Sequence, residues 1–223
     1  MASKLETAAL TRVVDGERIV DSVSVDVPAA EVAAVIGPSG AGKSSFLRLL
    51  NRLDEPTSGT VSLDGRDYRD IDPLELRRRV GFVPQDSALQ SGTVGENTAL
   101  GDRLRDRPVD DERVDRLLER VGLAGYRDRS VEELSGGEKQ RIAITRTLYV
   151  DPEVLLLDEP TAHLDSETEL QIEHLLEELV REDDLTCVLV THDTEQARRL
   201  GDRILEFEGG RVTRSGEPRE VFP

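Results

Sequence analysis

Apolar residues enter this chain in short runs separated by turns. Residues 5–27 alternate, most plainly in Val23-Ser24-Val25-Asp26-Val27, and predict two short strands around a turn at Asp15-Gly16. Val32-Ala33-Ala34-Val35-Ile36 is wholly apolar, as a strand covered on both faces must be, and it runs into a glycine-rich turn with a helix to follow over 42–52. Pro56, Gly59 and an Asp64-Gly65 turn punctuate 55–65 around a strand at 60–63, and 80–83 reads as another. After residue 84 the texture becomes helical. Thr93 with Glu96 fits a capping box, and Val114, Leu117, Leu118 and Val121 recur at the spacing of one helical face. Strands return at 154–157 and 186–190. A helix opens at Ser166, with Glu169 three residues on, and carries Leu175, Leu176 and Leu179. A short helix near 195–200 and a hairpin around Gly209-Gly210 close the chain.

Buried strands alternating with helices predict an α/β parallel-sheet core. The core is expected from 1–84 and 151–223, with 85–150 as an inserted helical lobe, all within one domain of 223 residues. The longest apolar runs fall far short of the roughly 18–20 residues of a membrane helix, and the start lacks the apolar stretch of a secretion signal. A single cysteine, Cys187, excludes a disulfide framework and is expected in the core.

Charge sharpens the picture. Lys plus Arg number 29 against 46 for Asp plus Glu, a formal net charge of −17. Such a surface repels phosphate backbones, so no direct nucleic-acid partner is expected. Lysine occurs only at 4, 43 and 139. A GC-rich genome explains arginine in place of lysine, but not the excess of acid. Adaptation to a salt-rich cytoplasm explains the excess, because salt screens the repulsion among carboxylates.

One of the rare lysines lies in Gly37-Pro38-Ser39-Gly40-Ala41-Gly42-Lys43-Ser44, a full match to G-x-x-x-x-G-K-[ST] placed after a buried strand and at a helix start. Glycines there let backbone N–H groups turn around phosphate oxygens, with Lys43 reaching the β/γ-phosphates and Ser44 a magnesium ion. Val154-Leu155-Leu156-Leu157-Asp158-Glu159 ends a central strand on two carboxylates. Asp158 suits the Mg2+ shell, and Glu159 suits orienting or deprotonating water. No Asn-Lys-x-Asp segment for reading guanine occurs.

The octapeptide Leu134-Ser135-Gly136-Gly137-Glu138-Lys139-Gln140-Arg141, ahead of a helix, selects among phosphate-loop proteins. With it the sequence resembles the ATP-binding subunits of ABC transporters along nearly its whole length. The octapeptide is similar to that family's signature, 37–44 to its Walker A and 154–159 to its Walker B. Gln85 resembles the Q-loop glutamine, Ala162-His163-Leu164-Asp165 the D-loop and Thr191-His192-Asp193 the switch histidine. The resemblance implies a P-loop NTPase fold with a RecA-like core, an antiparallel β subdomain and an inserted α-helical lobe. It implies ATP and Mg2+ as cofactors, hydrolysis in a head-to-tail dimer (a homodimer or a pair with a related ATPase subunit), and a separate transmembrane permease at the cytoplasmic face of the cell membrane. The implied catalytic set is Glu159, His192, Gln85 and Lys43. The implied nucleotide set is Gly37, Pro38, Ser39, Gly40, Ala41, Gly42, Lys43, Ser44 and Ser45, with Val14, Asp165 and, acting in trans, Ser135, Gly136 and Gly137. Mg2+ falls to Ser44, Gln85 and Asp158.

The family's usual adenine-stacking aromatic falls on Val14, and no aromatic residue precedes Phe46. Gln90 stands where an aromatic residue often meets the permease, and Ala162-His163 replaces the commoner Ser-Ala. His163 and His174 are expected to be solvated bystanders. With so few residues after His192, the regulatory domain of sugar-type importers is not expected, and the short form resembles small-solute importer subunits, including phosphate and amino-acid types, or ATP-binding subunits proposed for iron export. The alternative, an ABC ATPase of DNA repair or translation, calls for coiled coils, zinc modules or a tandem ATPase domain that this length does not hold.

Overall fold

The structure, a computed structural model, describes residues 3–162 and 164–222; His163 lies outside them. Two sheets meet around the glycine-rich loop. The first is antiparallel: β1 (Ser3–Val14), β2 (Glu17–Val23), β3 (Asp26–Pro28), β5 (Ser58–Leu63) and β6 (Arg66–Asp67) pair in the order β2-β1-β5-β6, with β3 also on β1. The second takes β4 (Val32–Ile36), β7 (Val80–Val83), β8 (Val154–Asp158), β9 (Thr186–Val190), β10 (Arg203–Glu208) and β11 (Arg211–Gly216) in the order β11-β10-β4-β9-β8-β7. It is parallel except for the β10–β11 hairpin. Every residue of β4, β8 and β9 is buried, as the apolar runs 32–36, 154–157 and 187–190 require, and the polar ends Asp158 and Thr186 are buried with them.

The opening strand differs from expectation in length. It runs 12 residues. A bend at Ala9 (φ 48°) and register shifts around Arg12 let its first half pair with β3 and its second half with β2. Asp15 and Gly16 both take positive φ (52° and 85°), the geometry of a tight two-residue hairpin turn. The alternating stretch 23–27 is not continuous strand. It breaks at Ser24 and Val25, where Thr7 Oγ1 accepts the Val25 N–H at 3.0 Å.

The helices are α1 (Lys43–Leu50), α2 (Pro73–Arg79), α3 (Val94–Thr98), α4 (Leu100–Arg103), α5 (Asp111–Arg120), α6 (Gly136–Leu148), α7 (Ser166–Glu182), α8 (Thr194–Leu200) and α9 (Pro218–Val221). The Thr93–Glu96 capping box is present on α3, and α5 buries Val114 and Leu118. Helix α7 begins at Ser166, as expected. Asp165 is its N-cap and accepts the N–H groups of Glu167 and Thr168 at 3.1 and 3.0 Å. Helix α2 has too few apolar residues to show a period. Asp72 as N-cap and Pro73 at the first turn start it instead.

Beneath the sheets four charges interlock. Lys4 Nζ lies 2.9 Å from Asp64 and 2.6 Å from Glu153, and Arg79 bonds both acids, reaching Glu153 Oε1 at 2.6 Å. The cluster ties β1 and the β5–β6 turn to the start of β8. Hydrogen bonds from Arg79 pull the Glu153 carboxyl down to about 2. A depressed carboxyl contributes stability above its unfolded value of about 4.3, and loses it as pH falls towards about 2. Glu153→Gln is therefore expected to lower the melting temperature at neutral pH and low salt by a few degrees, since exposed pairs contribute up to about 1 kcal/mol. Thermal melts should show this gap constant from about pH 5 to 8 and narrowing below about pH 4. A gap unchanged down to about pH 3 would place the effect elsewhere.

Candidate active site

Residues 37–44 leave β4 and open α1, and what lies behind them sets their shape. A Cβ on Gly37 (φ 143°) would sit 2.2 Å from the Phe207 carbonyl oxygen of β10. A Cβ on Gly42 (φ 96°) would sit 2.2 Å from the Ile19 carbonyl oxygen of β2. Only glycine fits either position. Gly40 (φ 78°) has open space in front of it. The Gly210 N–H, in the β10–β11 turn, donates to the Ala41 carbonyl at 3.0 Å. The loop is thus braced by both sheets from behind and open in front.

Lys43 is only 6% exposed, and its Nζ donates to the carbonyls of Gly37 (2.8 Å) and Pro38 (3.0 Å). Its hydrogen bonds among the described residues all run to the loop's own carbonyls, so its charge is held there for an anion. Ser44 Oγ donates to Asp158 Oδ1 at 2.9 Å. Burial pushes the Asp158 carboxyl above the usual range, and the Glu159 charge adds to this against the opposing Ser44 bond.

Glu159 turns into the left-handed region (φ 47°), an uncommon conformation for a non-glycine residue, held by its N–H donating to Val190 at 2.9 Å. Its Oε2 accepts from Gln85 Nε2 at 3.3 Å and lies 3.3 Å from His192 Nδ1. Gln85, Asp158 with Glu159, and His192 follow the C-terminal ends of the neighbouring strands β7, β8 and β9. That sheet edge is where α/β ligand sites form.

Ser135, Gly136 and Gly137 sit in a second cluster. Ser135 caps α6 in a reciprocal box with Glu138, and both Ser135 and Gly136 are exposed. A Cβ on Gly137 would meet Thr168 Cγ2 at 2.2 Å, and one on Gly136 would come within 3.8 Å of Leu164. Asp165 accepts from Thr168 Oγ1 at 2.8 Å, so the signature segment and the start of α7 form one surface. Ser45 is half-buried on α1. Val14 ends β1 at the hairpin tip, 39% exposed and paired with Glu17. Gln90 is exposed, its backbone held on both sides by the buried Asn97. Cys187 is buried and its thiol is pushed up to about 12 by desolvation, and the His174 side chain is exposed. Sequence reasoning missed the backing groups Ile19, Phe207 and Gly210. It also missed Thr161, Glu173, Gln196 and Arg199, which hydrogen-bond to one another between the turn after Glu159 and helices α7 and α8. The only sequence signal for these was a pair of like charges four residues apart, Glu169 and Glu173, on one helix face.

Among the described residues no helix is long and apolar enough to cross a membrane. Residues 20–162 match the family described as ABC transporter. The chain is 42% identical to the Arabidopsis thaliana protein named ABC transporter I family member 17, over 98% of this chain and 84% of that protein. It is 43% identical to the Mycobacterium bovis sulfate/thiosulfate import ATP-binding protein CysA over 91% of its own length, but spans only 58% of that relative. Among solved structures it superimposes on the ATP-binding cassette MJ0796, described as a dimeric post-hydrolysis state bound to ADP and Pi. The TM-score is 0.85 at 33% identity, covering 96% of this chain and 99% of that one. A phosphate loop braced by two sheets, carboxylates at the parallel-sheet edge and these likenesses agree: the chain belongs to the ABC transporter family, as one of its ATP-binding, ATP-hydrolysing subunits.

Proposed function

We propose that this subunit drives a separate membrane permease from the cytoplasmic face, closing head to tail on a second copy or on a related ATPase subunit around ATP. The observation that carries this is the Glu159 carboxylate, fixed between Gln85 and His192 one residue beyond the Asp158–Ser44 pair. The triphosphate lies along the open front of 37–44, where N–H groups, the α1 N-terminus and Lys43 supply positive potential. A hydroxyl, a carboxylate and an amide from Ser44, Asp158 and Gln85 are hard oxygen donors that fit Mg2+. When bound, that ion would neutralise phosphate charge and act as a Lewis acid toward the phosphoryl group. Glu159 orients the attacking water and takes its proton, and His192 bonds the γ-phosphate. The exposed Ser135 and Gly136, with Gly137, face the γ-phosphate held by the other subunit, while Asp165 lies beside them at that interface. The helical stretch 85–150 forms the lobe that carries this signature surface. The relatives' named solutes do not choose one for this chain.

Glu159→Gln is expected to leave ATP binding intact, abolish turnover and accumulate an ATP-bound dimer, because the carboxylate acts on water and contributes little to holding the nucleotide. Gel filtration with ATP reads the dimer and phosphate release reads the turnover. Hydrolysis near the wild-type rate would move the catalytic role to another residue.

The excess of 46 acids over 29 bases supports a salt-rich working environment. Stability and activity should rise as KCl goes from about 0.1 M towards 1 M, where the Debye length falls from about 10 Å to about 3 Å. A melting temperature that stays flat or falls over this range would favour codon bias.

Val14 presents an aliphatic wall to the adenine. The Tyr126 ring, which could otherwise be thought to cover the base, packs against the core and is covered by Arg129 at 3.9 Å. Val14→Tyr should therefore lower the KM for ATP by about five-fold to a hundred-fold, from a stacking contribution of roughly 1–3 kcal/mol. Turnover at saturation should barely move, because uniform binding does not change kcat. Measuring KM for ATP and GTP at matched high salt tests this, and an unchanged or higher KM for ATP would remove Val14 from the adenine site.

A further inference from the structure

Helices α7 and α8 and the turn after Glu159 share a polar knot that the hydrolytic machinery itself does not use. Gln196, on α8, has no exposed surface. Its Nε2 donates to Thr161 Oγ1 at 2.9 Å and to Glu173 Oε1 at 3.1 Å, with Glu169 Oε1 at 3.4 Å. Glu173, 3% exposed on α7, also accepts Nε and an Nη of Arg199 at 2.9 and 2.7 Å. The Gln196 Oε1 has no hydrogen-bond partner among the described residues. Burial, with the charges of Glu173 and Asp193, pushes the Glu169 carboxyl above its ordinary range.

Apolar side chains would pack α7 against α8 without a buried carboxylate or an orphaned acceptor. What the polar version adds is direction, and its members sit at informative places. Thr161 is two residues past Glu159, in the turn that leads to Asp165. Glu173 lies two turns into the helix that Asp165 caps. Gln196 is four residues past His192, on a helix of only seven residues whose N-cap is Asp193. One amide therefore joins the three segments that carry Glu159, Asp165 and His192. Exposed Arg199 closes the knot from outside with a fork that matches the Glu173 carboxylate in two places.

We propose that Glu173, gripped by Gln196 and Arg199, is a positioning residue that locks α7 to α8, so that the Asp165 and His192 ends approach the nucleotide as one unit. The inference rests on the ATPase reading above and adds the groups that set its geometry. Contact of a second subunit with the Asp165 surface then moves His192 and the Glu159 turn together. Misplacing a reacting group by about 1 Å can cost about a hundred-fold in rate.

The test uses the full chain in three forms: Glu173→Gln, Arg199→Met and the pair Glu173→Leu with Arg199→Met. Each is expected to lower kcat for ATP hydrolysis at least about ten-fold while KM for ATP and Kd for ADP stay within about two-fold, because 37–44 is untouched. The pair should recover the melting temperature lost by Arg199→Met, since the buried Glu173 charge is no longer left without its partner, yet keep the low kcat. If kcat returns with the melting temperature, the knot only holds the fold together and the positioning role is overturned. A rise in KM or Kd alongside the loss of kcat overturns it too, because the damage then lies in the nucleotide pocket. Should the pair fail to fold, Gln196→Met removes the amide with little change of volume and is read by the same split. Wild-type hydrolysis abolished by Glu159→Gln, with kcat unmoved by the Glu173 variants, defeats this inference and leaves the ATPase reading standing. A wild type that does not hydrolyse ATP defeats both.

Discussion

Two missing Cβ atoms hold this architecture together. At Gly37 and Gly42 the carbonyl oxygens of Phe207 and Ile19 occupy the space a side chain would need. One carbonyl belongs to the parallel sheet and the other to the antiparallel sheet, so the loop between β4 and α1 is where both sheets bear on one backbone. Close approach fixes the direction of the N–H groups, and a cradle for phosphate needs that direction more than it needs any side chain. The Gly210 N–H on Ala41 and the Asp21–Arg211 ion pair at 2.5 Å fasten the β10–β11 hairpin in the same place. Buried residues of β2, α1 and β10 then pack as part of one apolar cluster around the loop.

Charge is arranged to suit an anion at the front of that cradle. Lys43 is buried against carbonyls rather than carboxylates, so its field is not cancelled at close range. Asp158 carries the opposite sign one hydrogen bond behind Ser44, where burial alone would favour its protonated form. A cation between these groups would remove that conflict, so the pair is chemically compatible with the Mg2+ proposed above. Glu159, one residue on, is turned by its left-handed backbone away from the strand's alternation. The strained φ places its carboxylate between Gln85 and His192 rather than back in the sheet.

The sequence carried the parts of this arrangement that depend on backbone chemistry or on local period. Wholly apolar runs marked β4, β8 and β9, the glycine spacing marked the loop, and Thr93 with Glu96 marked a helix start. It carried less where several neighbours compete. The start of α7 at Ser166 was legible, but not its cap: Ser and Asp both cap helices, and here it is the carboxylate of Asp165 that reaches two N–H groups. The 23–27 alternation looked like one strand because alternation registers which face is buried and not where pairing changes partner. Glycine at 37 and 42 announced that something approaches closely, but Phe207 and Ile19 are far away in sequence and nothing local names them.

The same limit applies to Gln196, and it says something about where positioning information resides. Read locally, Gln196 belongs to a short polar helix, and Glu169 with Glu173 looks like a solvated face carrying two like charges. Folding turns both helices inward, and the glutamine amide becomes the hydrogen-bond donor that both glutamates need. Burying a carboxylate is tolerable here because Arg199 reaches it from the surface with two N–H groups while Gln196 meets it from inside. The phosphate cradle is specified by residues adjacent in sequence, which is why a motif can announce it. The orientation of His192 and Asp165 relative to Glu159 is specified by residues from three separate segments, and only the assembled fold brings Thr161, Glu173 and Gln196 within one another's reach.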